Sequence, residues 1–471
     1  MPARLRLLAP LVILLLLGAA CGSALSDEEV LRANGIEATG AAEETGGSFA
    51  IGDDPATGVT DTTLATATTT ARTGGTGTAG PSTGGSLTAA VGTPGETGPI
   101  ILGSVGNYSG PAGSAQAGIP KAVQVWAASV NAKGGLFGRE VKVIVQDDGG
   151  DPARYAAAVQ DLVENRGVIA FVGQGAALSM KGGLKYLSDK GIPVIGTECA
   201  ATEWYLPSTN NFPQCADGPG QSSSYIDLGV RITGKTRLGY VYCGESATCT
   251  TQAPFYDDST PIGRETMRGT GATTVYRSQV SIAQIDFTAN CQAAQSANVE
   301  LMFILADPGT LTRFVRSCDR QGFTPQYVVI SISGLADTVK LPGLSRVVLG
   351  VPTFPFDGAS TPAIDEFRRA MASYSSEPPG PANSEGWASA KLFELAATRA
   401  AQASGSLSGK TLIAALRTVK GETLGGLTVA LDFTQPTPNN QGCGFAMQGD
   451  GKGAWTAPLG PGVNCSRGYR G

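Results

Sequence analysis

Whatever chemistry this chain performs, it performs without histidine, which is absent from its 471 residues. That removes His-based triads, imidazole metal sites and the usual general base near neutral pH. No paired-carboxylate or nucleophile motif takes their place, so enzymic activity is not expected. Two other resources stand out: nine cysteines, and a glycine-rich turn, Gly106-Asn107-Tyr108-Ser109-Gly110-Pro111-Ala112-Gly113. Setting aside Cys21, which closes an apolar leader, leaves eight cysteines, an even number that reads as disulfides in an exported body. Sequence alone does not fix connectivity, but locality suggests Cys199–Cys215, Cys243–Cys249, Cys291–Cys318 and Cys443–Cys465. Cys243 and Cys249 as metal ligands would need histidine or a second close pair, so no metal is expected. Gly405-Ser406-Leu407-Ser408-Gly409-Lys410-Thr411 mimics a phosphate-binding loop. It is one residue short between its glycines and follows a helix rather than a strand, so Ser408 reads as a helix cap with Lys410 solvated, and no cofactor is expected.

The glycine-rich turn needs elements on either side to position it. Ile100 to Val105 is an apolar run suited to a strand buried on both faces. After the turn, Ile119, Ala122, Val123, Trp126 and Val130 recur at helical spacing, and Gly134-Gly135 stops the helix. A strand feeding a helix through such a loop puts the loop at the carboxyl edge of a parallel sheet, where open α/β folds bind ligands. The unit repeats. Val141 to Val145 ends at Asp147-Asp148, and Asp151-Pro152 starts a helix with a capping acid and a first-turn proline. Val168 to Val172 leads through Gly173 to Ala177 into a helix ending at Lys190, followed by Ile192 to Ile195. Such units demand a parallel sheet covered by helices.

The pattern restarts after Gly218. A helix through Tyr225 to Ile232 precedes strands at Leu238 to Tyr242, near Thr274 to Tyr276, at Leu301 to Leu305 and at Tyr327 to Ser331. Helices around Asp286 to Ala297 and Thr310 to Gln321 lie between them, giving a second sheet and hence two α/β lobes. Beyond Phe354-Pro355-Phe356 come three helices, roughly Thr361 to Ser375, Ser384 to Ala403 and Ser408 to Val419, and a β-rich tail from Gly426. Trp387 and Phe393 fit the buried face of their helix.

At the amino end, Arg4 and Arg6 precede the short apolar core Leu7 to Leu17 and then Gly18-Ala19-Ala20-Cys21. This is an export signal, too short to span a membrane. It resembles a bacterial lipoprotein signal, which implies residues 1–20 removed and Cys21 carrying lipid. Acyl chains contribute about 0.8 kcal/mol per buried methylene, so a multiply acylated Cys21 would hold the outer face of the cell membrane firmly. Ser26-Asp27-Glu28-Glu29 is a capping-box pattern. From Pro55 to Gly98 the chain is nearly all Thr, Gly, Ala and Ser, so residues 21–98 read as a flexible tether. A net charge of −5 leaves no basic footprint for nucleic acid.

Taken in order, four segments carry a likeness: Asn107-Tyr108-Ser109-Gly110-Pro111, Val130 to Arg139, Asp147-Asp148-Gly149-Gly150-Asp151-Pro152, and Gly191-Ile192-Pro193-Val194-Ile195 leading to Ala200-Ala201-Thr202. From about Ile100 to Phe433 the chain resembles the solute-binding proteins of ABC importers of the leucine/isoleucine/valine-binding type. The resemblance implies a type I periplasmic-binding-protein fold with three crossovers. Lobe I would comprise 99–221 and 356–424, and lobe II 222–355 and 425–471. It implies a monomer that closes on a small polar or amphipathic solute (an amino acid, amide or related carboxylate), with a membrane permease and ATPase as partners.

Carried over, the first-lobe ligand contacts fall on Tyr108 and Ser109, on the loop holding Ala176, Ala177 and Ser179, and on Ala200, Ala201 and Thr202. Backbone N–H groups at a helix start, with a threonine hydroxyl, suit a carboxylate; Thr202 as a plain cap is the alternative. The family's second-lobe acid, which meets an ammonium, would stand near Ser331-Ile332-Ser333-Gly334, where no acid occurs. Ser333 remains as a polar contact there, and Asp307 or Glu198 are the candidate substitutes. Trp204 and Tyr205 could grip apolar or cationic cargo with their faces. A ligand-sensing surface lipoprotein of the same fold is the main alternative, ahead of a secreted enzyme or a structural wall protein.

Overall fold

Ile100–Gly106 forms β1, buried at every position except the half-buried Ile101, as expected for a strand with apolar neighbours on both faces. The structure is a computed structural model that describes residues 97–331, 333–435 and 441–469. The leader, Cys21, the capping-box segment at Ser26, almost all of the 21–98 tether, and Ile332 lie outside the described residues.

From β1 the chain runs through a short α1 (Gly110–Gly113) into α2 (Gly118–Asn131), whose Ile119, Ala122, Val123 and Trp126 are buried. β2 (Val141–Asp147) is followed by α3 (Pro152–Glu164), capped by the Asp151 carboxylate, which accepts from the backbone N–H groups of Ala153 and Arg154. β3 (Ala170–Gln174), α4 (Leu184–Asp189), β4 (Val194–Thr197) and β5 (Asn211–Phe212) complete the first sheet. Its order is β2-β1-β3-β4-β5, all parallel, with Ile100 opposite Val141 and Leu102 opposite Ala170.

The single helix anticipated up to Lys190 is instead a 3-10 turn, Met180–Gly182, and the short α4. The 3-10 turn packs closely on α3, where a Cβ at Gly182 would stand 1.9 Å from the Pro152 carbonyl oxygen.

The second sheet is entered through α5 (Gly218–Thr233). It then takes in β6 (Arg237–Cys243), α6 (Ala247–Gln252), α7 (Pro261–Thr266), β7 (Thr273–Val280), α8 (Thr288–Ser296), β8 (Leu301–Leu305), α9 (Pro308–Arg320), β9 (Gln326–Ile330) and β10 (Val348–Val351). The chain returns to the first sheet with α10 (Pro362–Tyr374), α11 (Pro381–Ser404), α12 (Gly409–Leu416) and a separate antiparallel pair, β11 (Lys420–Glu422) and β12 (Leu431–Asp432). Its last strands, β13 (Cys443–Gly449), β14 (Trp455–Thr456) and β15 (Asn464–Cys465), rejoin the second sheet. That sheet's order is β14-β13-β10-β9-β8-β6-β7, with β15 on β13, parallel from β7 to β10 and antiparallel beyond. The fold is therefore two α/β lobes with three crossovers.

α11 is the main cover of the first sheet, packing on α2, β3 and β4. Alanines at 388, 390, 396 and 397 allow the close approach, while Trp387, Leu392 and Phe393 fill the core. Trp126 meets Phe393 edge-on at 5.8 Å and donates from its indole to Glu394 at 3.0 Å. Burying side chains of this size stabilises the fold by roughly 1.5–3 kcal/mol each. All four anticipated cysteine pairs form disulfides. Cys291–Cys318 joins α8 to α9, and Cys443–Cys465 joins β13 to β15. No helix of the described residues is long and apolar enough to cross a membrane.

Candidate functional site

The carboxyl ends of strands from both sheets converge on one cavity of about 130 Å³. The first sheet contributes Asn107 after β1, Ala177 and Leu178 after β3, and Glu198 and Ala200 after β4, joined by Ala115 and Gln116 ahead of α2. The second contributes Cys243 and the loop after it (Glu245, Ser246, Thr248 and Cys249), with Ile282 after β7 and Ala306 and Asp307 after β8. Two larger grooves, of about 660 and 680 Å³, lie beside Arg417 and beside Trp455. Neither collects the strand ends of both sheets, whereas the smaller cavity stands where open α/β folds bind ligands.

Of the residues expected at the site, Ala177, Ala200 and the two candidate substitute acids, Glu198 and Asp307, line this cavity. Tyr108 is turned into its own loop. Its hydroxyl shares a 2.8 Å hydrogen bond with Ser104 and accepts from the Gly175 N–H at 3.2 Å, and burial pushes its ionisation well up. Only glycine fits opposite the ring, since a Cβ at 175 would come within 2.6 Å of it. Ser109 is exposed. Ala176 is buried, and Ser179 is buried and donates to the Asp148 carboxylate at 2.7 Å, so it ties two loops together. Ser333 is likewise buried, donating to the Ile304 carbonyl at 3.1 Å.

The segment after β4 departs most from expectation. Glu198 is buried, and its carboxylate accepts from the N–H groups of Ala200 (2.8 Å) and Ala201 (3.2 Å) and from the Trp204 indole (2.5 Å). The backbone donors anticipated for a ligand's carboxylate are thus taken by the chain's own. Burial nevertheless pushes the Glu198 carboxyl up to about 7. Trp204 is fully buried, and its indole is committed to Glu198. Tyr205 donates to the Cys199 carbonyl at 3.2 Å. Thr202, half-buried, begins the 3-10 turn Thr202–Tyr205. From the other lobe, the Gln252 amide of α6 donates to the Ala200 carbonyl.

The remaining acids are also engaged. Asp307 caps α9, accepting from the N–H of Thr310 at 3.0 Å and from its hydroxyl. Glu245 accepts from the Ile282 N–H at 3.1 Å and from Ser281, bonds that hold it below the usual range. Glu385, near the start of α11, is buried and pushed up to about 8 by desolvation. Close by, the Thr353 hydroxyl after β10 donates to Ser384 at 3.0 Å, linking the lobes where the chain crosses.

Sequence reasoning passed over Asn107 and Gln116. They are 2% and 6% exposed, and Asn107 Oδ1 and Nδ2 and Gln116 Oε1 make no hydrogen bond. Asn107's place directly behind β1 was an available signal; nothing in the sequence marked Gln116. The described residues that line the cavity include three carboxylates and neither lysine nor arginine. No cluster of metal-ligating side chains occurs among the described residues.

Residues 99–454 match the protein family described as periplasmic binding protein. Among solved structures, a fatty acid ABC transporter substrate-binding protein from Thermomonospora curvata superposes with a TM-score of 0.66 at 18% identity, over 80% of this chain and 95% of that one. A branched-chain amino acid ABC transporter protein from Thermus thermophilus with bound valine gives 0.65 at 18% identity, over 79% and 99%. A solute-binding protein of an R. palustris ABC transporter in complex with benzoate gives 0.61 at 14% identity, over 79% and 99%. At such identities the likeness to each structure is one of fold.

Proposed function

The chain belongs to the periplasmic binding protein family, and on that footing we propose that it is the extracytoplasmic substrate-binding lipoprotein of an ABC importer. It takes a small solute into the interlobe cavity and presents it to a membrane permease and its ATPase. Lobe I comprises 99–221 and 356–424 and lobe II 222–355 and 425–471, with Cys21 carrying the lipid anchor and the protein acting as a monomer. The observation that carries this reading is the cavity walled by strand ends of both sheets. A solute touching both walls favours the closed form by its differential affinity, and closure is what a permease can read. The neighbours' cargoes, valine, benzoate and fatty acid, supply the range of sizes from which a panel is drawn.

The test is thermal melting of the purified chain against amino acids, amides, amines and aromatic acids, with small-angle scattering on any hit. A true cargo raises the melting temperature with concentration and contracts the particle. A melt unmoved by the whole panel would count against the reading. Radiolabelled fatty acid incorporated by the wild type and lost in Cys21→Ala checks the anchor.

A further inference from the structure

We propose that the segment Cys465 to Tyr469, which lies beyond the stretch matched by the family, is a clasp on the hinge, and that Tyr469 is a positioning residue for closure of the lobes. The inference rests on the binding-protein reading and goes beyond it, because it concerns how the lobes move and not what they hold. The family match ends at residue 454, and β14 and β15 follow it. The chain passes between the two sheets three times: between β5 and α5, between β10 and α10, and between β12 and β13. The first and third passages meet. A Cβ at Gly220, in the first turn of α5, would stand 2.2 Å from the Gln441 carbonyl oxygen ahead of β13.

The clasp is seated on that meeting point. It starts at Cys465, which pairs with Cys443 in the β13–β15 ladder and is bonded to it covalently. The Ser466 N–H donates to the Gly442 carbonyl at 2.6 Å, and the Ser466 hydroxyl accepts from Ser223 of α5 at 2.8 Å. Arg467 donates to the buried Asp227 carboxylate at 2.7 Å and to the Thr270 carbonyl at 3.0 Å, so one guanidinium joins α5 to the turn after α7. A charge-assisted bond of this kind is among the stronger ones available to the chain. The Tyr469 ring then lies over Gly442, where a Cβ would come within 2.6 Å of it. Burial, and after it the charges of Asp217 and Glu265, push the ionisation of the Tyr469 hydroxyl up. Asp217 caps α5, so the ring stands by the first crossover as well as the third.

Ser223, Asp227, Thr270 and Cys443 all belong to the lobe built on the second sheet. With the clasp seated, the first and third crossovers leave that lobe from one platform. The first is pinned on its other side by Cys199–Cys215. Bending is then confined to short stretches of backbone, and the open form has fewer arrangements to sample. Closure on a solute gives up less conformational entropy from such a start, and the affinity is higher for it.

The test is amide hydrogen exchange of the full chain without solute, read by mass spectrometry. Tyr469→Ala removes the ring and Gly442→Ala pushes it off its seat. Each is expected to speed exchange about tenfold in peptides covering 213–217 and 441–443 while exchange in β1 stays as in the wild type. The two effects are expected not to add in the double variant, because both remove the same contact. Tyr469→Phe keeps the ring and is expected to behave as the wild type. A solute found in the panel is expected to bind about threefold or more weakly to Tyr469→Ala than to Tyr469→Phe. Unchanged exchange at the crossovers in either single variant would overturn the proposal. Exchange that rises equally in β1 would overturn it too, as the mark of lost stability alone. Solute affinity unaltered in Tyr469→Ala would also overturn it and leave the binding-protein reading standing. A panel without a binder tells against the binding-protein reading alone, and the exchange measurement still decides the clasp.

Discussion

Replacing Glu198 by glutamine should change how stability depends on pH more than it changes stability itself. In the wild type Oε2 accepts from Ala200 and Ala201 and Oε1 from the Trp204 indole. Glutamine keeps one oxygen. If that oxygen serves the two backbone donors, the new NH2 faces the indole N–H, and one buried donor goes unmet at a cost of about 1–3 kcal/mol. Against this stands the titration. Burial raises the carboxyl from 4.5 to about 7, so between those values the folded chain holds a proton that the unfolded chain releases. This contribution is complete below about pH 4.5 and is lost as pH rises through 7. Each tenfold change in proton affinity is about 1.4 kcal/mol, which makes the loss about 3 kcal/mol by pH 8. Glutamine does not titrate. The wild type's stability relative to Glu198→Gln should therefore fall by about 3 kcal/mol between pH 4.5 and pH 8, whatever its starting value. Glu385 is raised chiefly by its own burial and only to a lesser extent by the Glu198 charge, so most of its pH dependence is common to both chains. Urea unfolding of the two proteins across that range, disulfides intact, measures the difference. A gap that stays constant, or widens toward pH 8, would refute the buried-acid reasoning.

Trp387→Ala empties a fully buried site between α11 and the core; it should cost about 3–5 kcal/mol, read as a lower urea midpoint. Opening the Cys291–Cys318 bridge, which spans 27 residues, with paired serines should cost about 3–4 kcal/mol, measured against the oxidised wild type. Asp307→Ala removes the cap of α9 and should cost about 1 kcal/mol. Because Asp307 is assigned to the helix rather than to the cargo, the melting shift produced by a solute found in the panel should persist; its disappearance would make Asp307 a ligand contact.

The βα units could be read from the sequence because their strands are apolar runs and their helices carry explicit start signals. Asp151 and Ser408 cap their helices as their positions imply. Local cysteine spacing likewise matched the observed disulfides. Tertiary packing accounts for what could not be read. The break falls at Gly182, which packs against Pro152, thirty positions earlier in the chain, so closely that no side chain fits. β10 is four residues long, too short for a period to show, and owes its place to β9 and β13 on either side. At the site, loop chemistry was recognised but its direction was not. Asn107 meets the cavity while Tyr108 turns inward, because Gly175 leaves room for a ring and Ser104 offers it a partner. The donors at Ala200 and Ala201, read as suited to a ligand's carboxylate, meet one of the chain's own. That the carboxylate would be Glu198 follows from burial, which obliges an acid to seek the nearest free N–H groups.

The ring closed by Cys243 and Cys249 gives the second lobe's wall an unusual economy. Most of that wall's contacts come from this one short loop. Its ends are fixed by the covalent link, and Glu245 is moored to the turn after β7. Ser246 and Thr248 therefore stand on a loop held at both ends, with Thr248 buried in α6. If the cavity takes the cargo as proposed, selectivity on this side would be modular: a cassette a few residues long, mounted on a chassis that need not change.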